Sequence, residues 1–338
     1  MIEILLLLCL LEIYVFLPYL FLNTMNNYPI ATILGGGGFI GRYLVRNLTK
    51  KNIRCIIPTR NPFAKVYLKT QAPPGAIEII KFGQNSFDEI KNAVENSDVV
   101  INLCGILFEN RKQKFSSIHE DIPESIAKLC SQFSVKKFIH VSAIGANKDS
   151  KSKYQQSKFL GEEKAINNFD KTVIIRPSVV IGSEDNFTNL FAKLSLSPII
   201  PVVNTNYKFE PIFVNDVARA ILKAIETKNN EGKIYELGGG RVISFGDMIK
   251  LILKIIGKKR IVADVPMTLA KIQSSLLGIL PIDPIITKDQ CLILSEKDNV
   301  VSGDHLTLKD LNIKPTDIEK EMEKWLWRYR SGGEFAKV

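Results

Sequence analysis

Histidine is scarce: the 338-residue chain has three, His119, His140 and His305, and none stands at a metal-ligand spacing from another. Cysteine is scarce too. Cys9, Cys55, Cys104, Cys130 and Cys291 are odd in number, scattered and free of any C-x-x-C pair. That argues against a disulfide framework and a zinc site, and for reduced thiols in a cytoplasm-like compartment. No metal is expected. Basic residues outnumber acidic ones, 45 to 35, for a formal charge of +10. Yet no basic patch carries interleaved aromatics, and Lys, Asn and Ile abound along the whole chain. The surplus is therefore assigned to base-composition bias, and no nucleic-acid partner is expected. The remainder, 46% hydrophobic and 24% charged, is an ordinary globular composition with material for one large domain or two small ones.

A basic leader is missing as well. Ile4 to Leu22 is nearly all apolar, and as a helix it would be about 28 Å long, enough to span a bilayer. But Glu3 stands where a secretory leader has basic residues, Glu12 sits mid-span, and no small-residue cleavage site follows. Secretion is not expected. Residues 1–24 keep two readings. One is a membrane anchor, with Arg42 and Arg46 holding the main domain on the cytoplasmic side. The other is a stretch upstream of a true start at Met25.

What the chain does have is glycine in one place. Ile30 to Arg42 reads IATILGGGGFIGR: a short apolar strand, a glycine turn, then helical spacing at Ile40, Leu44, Val45 and Leu48. Gly35, Gly38 and Gly41 give G-x-x-G-x-x-G, while Gly36, Gly38 and Gly41 give G-x-G-x-x-G. Either spacing puts residues without a Cβ at a tight turn, at the closest approach to phosphate and at the helix–strand contact. The bare amides of a helix N-terminus, here opening with Phe39 and Ile40, favour a pyrophosphate. Dinucleotide binding is the expectation.

The next strand, Arg54 to Arg60, has a tip that would meet the adenosine ribose. Arg60 stands where an acidic residue would select NAD, and Arg42 begins the facing helix. Two guanidiniums there favour the extra phosphate of NADP(H) over NAD(H). Strands are expected at Ile77–Lys81, Asp98–Leu103, Lys137–Ala143 and Val173–Ile181, with helices at Phe87–Val94 and Glu124–Phe133 between them. This α/β alternation predicts a Rossmann-like doubly wound parallel sheet over residues 25–240, followed at 241–338 by a small C-terminal helical region forming the substrate or lid side. Asn102, Gly105, Ser142 and Pro177 then fall at the carboxyl edge of the sheet, beside the cofactor. His140 is expected at the edge of the core.

Tyr154-Gln-Gln-Ser-Lys158 opens another helix, with tyrosine and lysine one turn apart on one face. A free tyrosine titrates near about 10. A neighbouring ammonium and an oxidised nicotinamide would favour phenolate and fit Tyr154 for proton exchange. Lys158 would also hydrogen-bond the nicotinamide ribose. Farther on, Phe213–Ala224 reads as a strand end and helix capped by Asn215 or Asp216. Ser244–Gly257 is an amphipathic helix, and Leu269–Leu280 is an apolar stretch fit for core, lid or a membrane or partner surface. The tail helix is expected to open on a capping box of Thr316 and Glu319.

The order strand–GxxGxxG–helix, NLCG, HVS, YxxxK and IIRP resembles the extended and atypical short-chain dehydrogenases/reductases. A closer resemblance runs from Met25 onward. GGGGFIGRYLV, CIIPTR, DVVINLCG, HEDIPESIA, KKFIHVSAIGAN and LWRYRSGGEF are similar to the nucleotide-binding accessory subunits of respiratory complex I and their alphaproteobacterial relatives. This implies NADPH held mainly as a structural element and complex I subunits as partners. It also implies a site on the cytoplasmic face of the inner membrane, or the equivalent matrix side. It would put Gly35, Gly38 and Gly41 on the pyrophosphate, Arg42 and Arg60 on the adenosine phosphate, and Lys158 on the nicotinamide ribose. One departure stands out. Active reductases of this kind carry Ser or Thr just after the residue matching Ser142, and this chain has Ala143. Losing such a donor costs on the order of 3 kcal/mol in comparable oxyanion sites. The alternative is an active NADPH-dependent oxidoreductase or epimerase on a nucleotide-sugar or lipid-like carbonyl substrate, with Tyr154, Lys158 and Ser142 catalytic.

Overall fold

The computed structural model describes residues 29–82, 87–270 and 286–333. The apolar segment 1–24 lies outside the described residues, as does most of Leu269–Leu280. Among the described residues no helix is long and apolar enough to cross a membrane.

Ile30–Leu34 (β1) is buried on both faces, which suits a strand covered by helices on each side. The glycine turn leads into helix α1, Phe39–Thr49, and the chain then adds β2, Arg54–Thr59, and β3, Ile77–Lys81, to one side. After helix α2, Phe87–Glu95, it crosses to the other side of β1 and lays down β4, Val99–Asn102. Helix α3, Ile122–Gln132, leads to β5, Lys137–Val141, and helix α4, Lys153–Asn168, leads to β6, Thr172–Pro177. The short pieces β7, Val180–Ile181, α5, Asn186–Leu194, β8, Ile199–Val203, β9, Lys208–Phe209, and β10, Ile212–Phe213, follow. Helix α6, Val214–Glu226, then returns the chain to the sheet as β11, Ile234–Leu237. The seven-stranded order is β11-β6-β5-β4-β1-β2-β3, and every pairing is parallel. The order reverses between β1 and β4. Register pairs Leu34 with Asn102 and Asn102 with His140, so three strands end level beside that reversal, where a doubly wound sheet opens its crevice.

Alternation divides the core. Ile33, Ile101, Ile139, Val141 and Ile175 face Leu44, Leu48, Val217 and Ile221 of α1 and α6. On the opposite face, Leu34, Val100 and Phe138 meet Ile90, Ile126, Leu129 and Ala165. A separate apolar cluster joins Phe191 and Phe209 to Met248, Ile252 and Trp325, which come from helices α7, Phe245–Ile255, and α9, Ile318–Leu326. A buried ion network anchors the β6 edge. Arg176 donates twice to Glu162, at 2.9 and 2.6 Å, and lies 3.6 Å from Glu236 and 3.2 Å from the His305 ring.

Several expectations need correction. Val173–Ile181 is not one strand: β6 stops at Pro177, and Val180–Ile181 pairs instead with β10. Helix α6 begins at Val214, so neither Asn215 nor Asp216 caps it. Asp216 is wholly buried inside the first turn and accepts from Thr316 N at 2.7 Å and Thr316 Oγ1 at 2.9 Å. Thr316 is thereby withdrawn from the tail helix, which Asp317 caps through Glu319 N and Lys320 N. His140 is not at the core edge but fully buried within β5. Before α3 the chain makes a π-helical turn, Ser116–Asp121, and such bulges gather at functional sites.

That turn packs against α4 at Gly161, where a Cβ would overlap the His119 carbonyl. Gly161→Ala is expected to destabilise the protein by about 2 kcal/mol, because rigid backbone stands in the way. In urea titrations the midpoint should fall while the slope stays the same.

Candidate functional site

The glycine turn is built from backbone alone. Gly35 has φ +77°, a region that a side chain rarely tolerates, and Gly38 N donates to Gly35 O at 2.9 Å. At Gly41 a Cβ would stand 2.6 Å from Gly35 O, so only glycine lets α1 come this close to the turn. Helix α1 has no side-chain cap and no acidic residue in its first turn. Its leading amides at Phe39, Ile40 and Gly41 therefore present an uncompensated positive end. Among the described residues no side chain caps these amides, and the cradle fits a diphosphate.

The structure sets the other expected residues along the same sheet edge. Arg60 lies just past β2, exposed, with no hydrogen bond or ion pair among the described residues. Arg42 is otherwise engaged: it lies 3.3 Å from Glu184, its guanidinium sits 5.6 Å from the centre of the Tyr67 ring, and its buried Nε has no partner. Asn102 ends β4, accepting from Cys104 N at 3.0 Å and facing His140 Nδ1 at 3.2 Å. Gly105 follows, and a Cβ on it would stand 3.4 Å from Lys158 Nζ. Pro177 closes β6, with its carbonyl accepting from Ile144 N at 3.1 Å.

Ser142 is buried and its hydroxyl has no partner among the described residues, while Ala143 beside it is half-buried. Two residues from His140, Ser142 shares the face of the sheet that His140 takes. Tyr154 is half-buried against two rings. Phe115 lies edge-on to it at 5.9 Å and His119 at 5.4 Å, and those two stack on each other at 5.2 Å. Sequence reasoning gave His119 no role in the site. Its Nε2 accepts from Ile106 N at 3.0 Å and its Nδ1 meets Ser157 Oγ at 2.9 Å, so the neutral ring donates through Nδ1. Ser157 in turn donates to the Tyr154 carbonyl at 2.8 Å. One imidazole therefore joins the loop after β4 to the tyrosine helix. The only signal was the HEDIPESIA resemblance.

Electrostatics depart from the expectation for Tyr154. Burial, reinforced by the Asp289 carboxylate, pushes its phenol up to about 12 instead of down. The Lys158 ammonium donates to the Val141 carbonyl at 3.1 Å. Burial lowers Lys158 itself to about 8, against the pull of Glu162 and Cys104. His119 drops to about 3 through burial and then Lys158, and the same causes, with His119 added, hold His140 well below its ordinary value. The arrangement can seat a dinucleotide and place a cation beside it, but its tyrosine is a weak acid.

The profile of the NAD-dependent epimerase/dehydratase family matches residues 31–238. The chain is 32% identical to the mitochondrial NADH dehydrogenase (ubiquinone) 1 alpha subcomplex subunit 9 of Mus musculus over 305 residues, covering 89% of this chain and 81% of that one. It is 31% identical to the protein of that name from Dictyostelium discoideum over 323 residues, covering 94% and 89%. In three dimensions it resembles MoeE5 in complex with UDP-glucose and NAD, with TM-score 0.65 at 14% identity and coverage of 88% and 99%.

Because His119 stays neutral when folded but takes up a proton when unfolded, its contribution is complete above about pH 6.5 and is lost as pH falls toward about 3. His119→Phe keeps the ring stack but strands Ile106 N, while Ser157 Oγ keeps its bond to the Tyr154 carbonyl. A cost of about 2 kcal/mol is expected at pH 7, together with a shallower acid slope in urea midpoints, by about one proton between pH 6 and 4.

Proposed function

The chain belongs to the NAD-dependent epimerase/dehydratase family, in the branch of the NADH dehydrogenase alpha subcomplex subunit 9 proteins, and from there we propose that it is an NADP(H)-binding accessory or assembly subunit of complex I whose cofactor is mainly structural. The observation that carries this reading is an intact phosphate cradle beside an impaired proton donor. The α1 amides are bare and Gly41 admits the close approach, whereas Tyr154 titrates near about 12 and Ala143 brings no hydroxyl. A bound nicotinamide dinucleotide would supply hydride chemistry. The residues of this chain would hold its diphosphate on Gly35, Gly38, Phe39, Ile40 and Gly41 and its nicotinamide ribose on Lys158, with Asn102, Gly105 and Pro177 as neighbours.

The preference for NADP(H) rests on Arg60, an exposed guanidinium without a partner among the described residues, at the strand tip where the adenosine phosphate would lie. Arg42 would join it only by exchanging Glu184 for phosphate. Complex I subunits are the proposed partners, at the membrane on the cytoplasmic face in a bacterium or on the matrix side in a mitochondrion. The second reading, an active reductase, keeps one observation in its favour. Tyr154 and Lys158 occupy one helix at the right spacing, and Lys158 Nζ stands beside Gly105.

Purified protein should release NADPH on denaturation, and added NADPH at about 100 times its dissociation constant should raise stability by about 2.7 kcal/mol. Arg60→Ala should weaken NADPH by about tenfold or more and leave NADH nearly unchanged, as read by calorimetry. Affinity purification followed by mass spectrometry should recover complex I subunits. Turnover of a carbonyl panel that Tyr154→Phe abolishes would establish the enzyme instead, and loss of all dinucleotide binding would end both readings.

A further inference from the structure

The residues after 285 form a strap across the loop that carries the tyrosine. Thr287 caps the short helix α8, Lys288–Ile293, through a capping box with Gln290, which fixes the direction in which its next residues project. From this helix Asp289 reaches the start of α4. Its Oδ2 accepts from Ser152 Oγ at 2.7 Å and from Tyr154 N at 3.2 Å, and its Oδ1 accepts from Lys153 N at 2.7 Å. Beyond α8, Glu296 takes the preceding residues, accepting from Ser150 Oγ at 2.7 Å and Lys151 N at 2.6 Å. Asn299 Nδ2 then donates to the Ile144 carbonyl at 3.1 Å.

Two carboxylates from one strap thus hold one loop, but only the first lies at the tyrosine. We propose that Asp289 is a positioning residue for the dinucleotide site: it seats the backbone of Tyr154 at the start of α4 and sets a carboxylate against any phenolate there, so that the site retains cofactor with the tyrosine a poor proton donor. This deepens the structural-cofactor reading and rests on it. The physical argument has two parts. An N-terminal helix dipole left open would stabilise a phenolate one residue away, and a carboxylate seated on those amides cancels that field. The same carboxylate also repels the phenolate directly. Among the described residues, four groups stand around Tyr154. Lys158 lies one turn on along α4, with its ammonium committed to the Val141 carbonyl. Neutral His119 and apolar Phe115 come from the π-helical turn, and Asp289 comes from the strap. Burial and Asp289 act in the same direction on the phenol.

The test uses the full chain with its cofactor. Ultraviolet phenolate titrations are recorded for wild type, Asp289→Asn and Glu296→Gln, each paired with its Tyr154→Phe counterpart so that the difference isolates one tyrosine. NADPH content and urea midpoint are measured on the same samples. The expected result is that the Tyr154 phenolate emerges about one pH unit or more earlier in Asp289→Asn, and at the wild-type pH in Glu296→Gln. A strap that merely braced the loop would make the two variants alike, and that result overturns the proposal, as does an unmoved Tyr154 in Asp289→Asn. Asp289→Ser, a second neutral helix cap, decides the matter should the asparagine variant not fold. Wild type that holds no NADPH would instead overturn the cofactor reading, whatever the tyrosine does.

Discussion

The contact between the first helix and the turn before it governs the rest of the structure. Gly41 lies so near the Gly35 and Gly36 carbonyls that no side chain fits, and this closeness aims the amides of Phe39, Ile40 and Gly41 at the crevice between β1 and β4. If α1 were displaced by the width of a methyl group, Leu44, Val45 and Leu48 would leave their places against Ile33 and the facing helix α6. The phosphate cradle and one half of the core are therefore a single piece of packing. Substitutions here act on stability and on ligand binding together.

Around the tyrosine the logic is different. Polar groups there are buried and fixed by partners from remote parts of the chain: Ile106 and Ser157 on His119, Asn102 on His140, and the Val141 carbonyl on Lys158. The His140 Nε2 and the Ser142 hydroxyl are buried without a partner among the described residues, and Ser142 shares the strand face of His140 instead of standing where Ala143 does. The site keeps the outline of a reductase while its hydrogen bonds are directed inward.

Much of this was legible in the sequence because it is local. The glycine turn, the strand runs IATIL and VVIN, and the Tyr154–Lys158 spacing each declare themselves within a dozen residues, and the structure places them where periodicity and turn chemistry put them. What escaped was settled by long-range partners. Thr316 carries the pattern of a capping box, yet Asp216, 100 residues earlier, claims both its amide and its hydroxyl. Lys158 is spaced to acidify Tyr154, yet burial pushes the phenol the other way and Asp289, 135 residues on, adds to it. His140 lies in a run that reads as the edge of the core, yet parallel neighbours on both sides, β4 and β6, enclose it. Sequence spacing shows who shares a helix face, but not who arrives from elsewhere.

The strap at Thr287–Asn299 has a bearing on the order of events at the ribosome. The glycine turn, all seven strands and α4 are synthesised before Asp289, Glu296 and Asn299 emerge to fasten the loop that begins at Ile144. A nascent chain thus owns a complete phosphate cradle while the opposite wall of the crevice is still unfastened. The strap that fastens this wall is therefore made after the sheet it closes over.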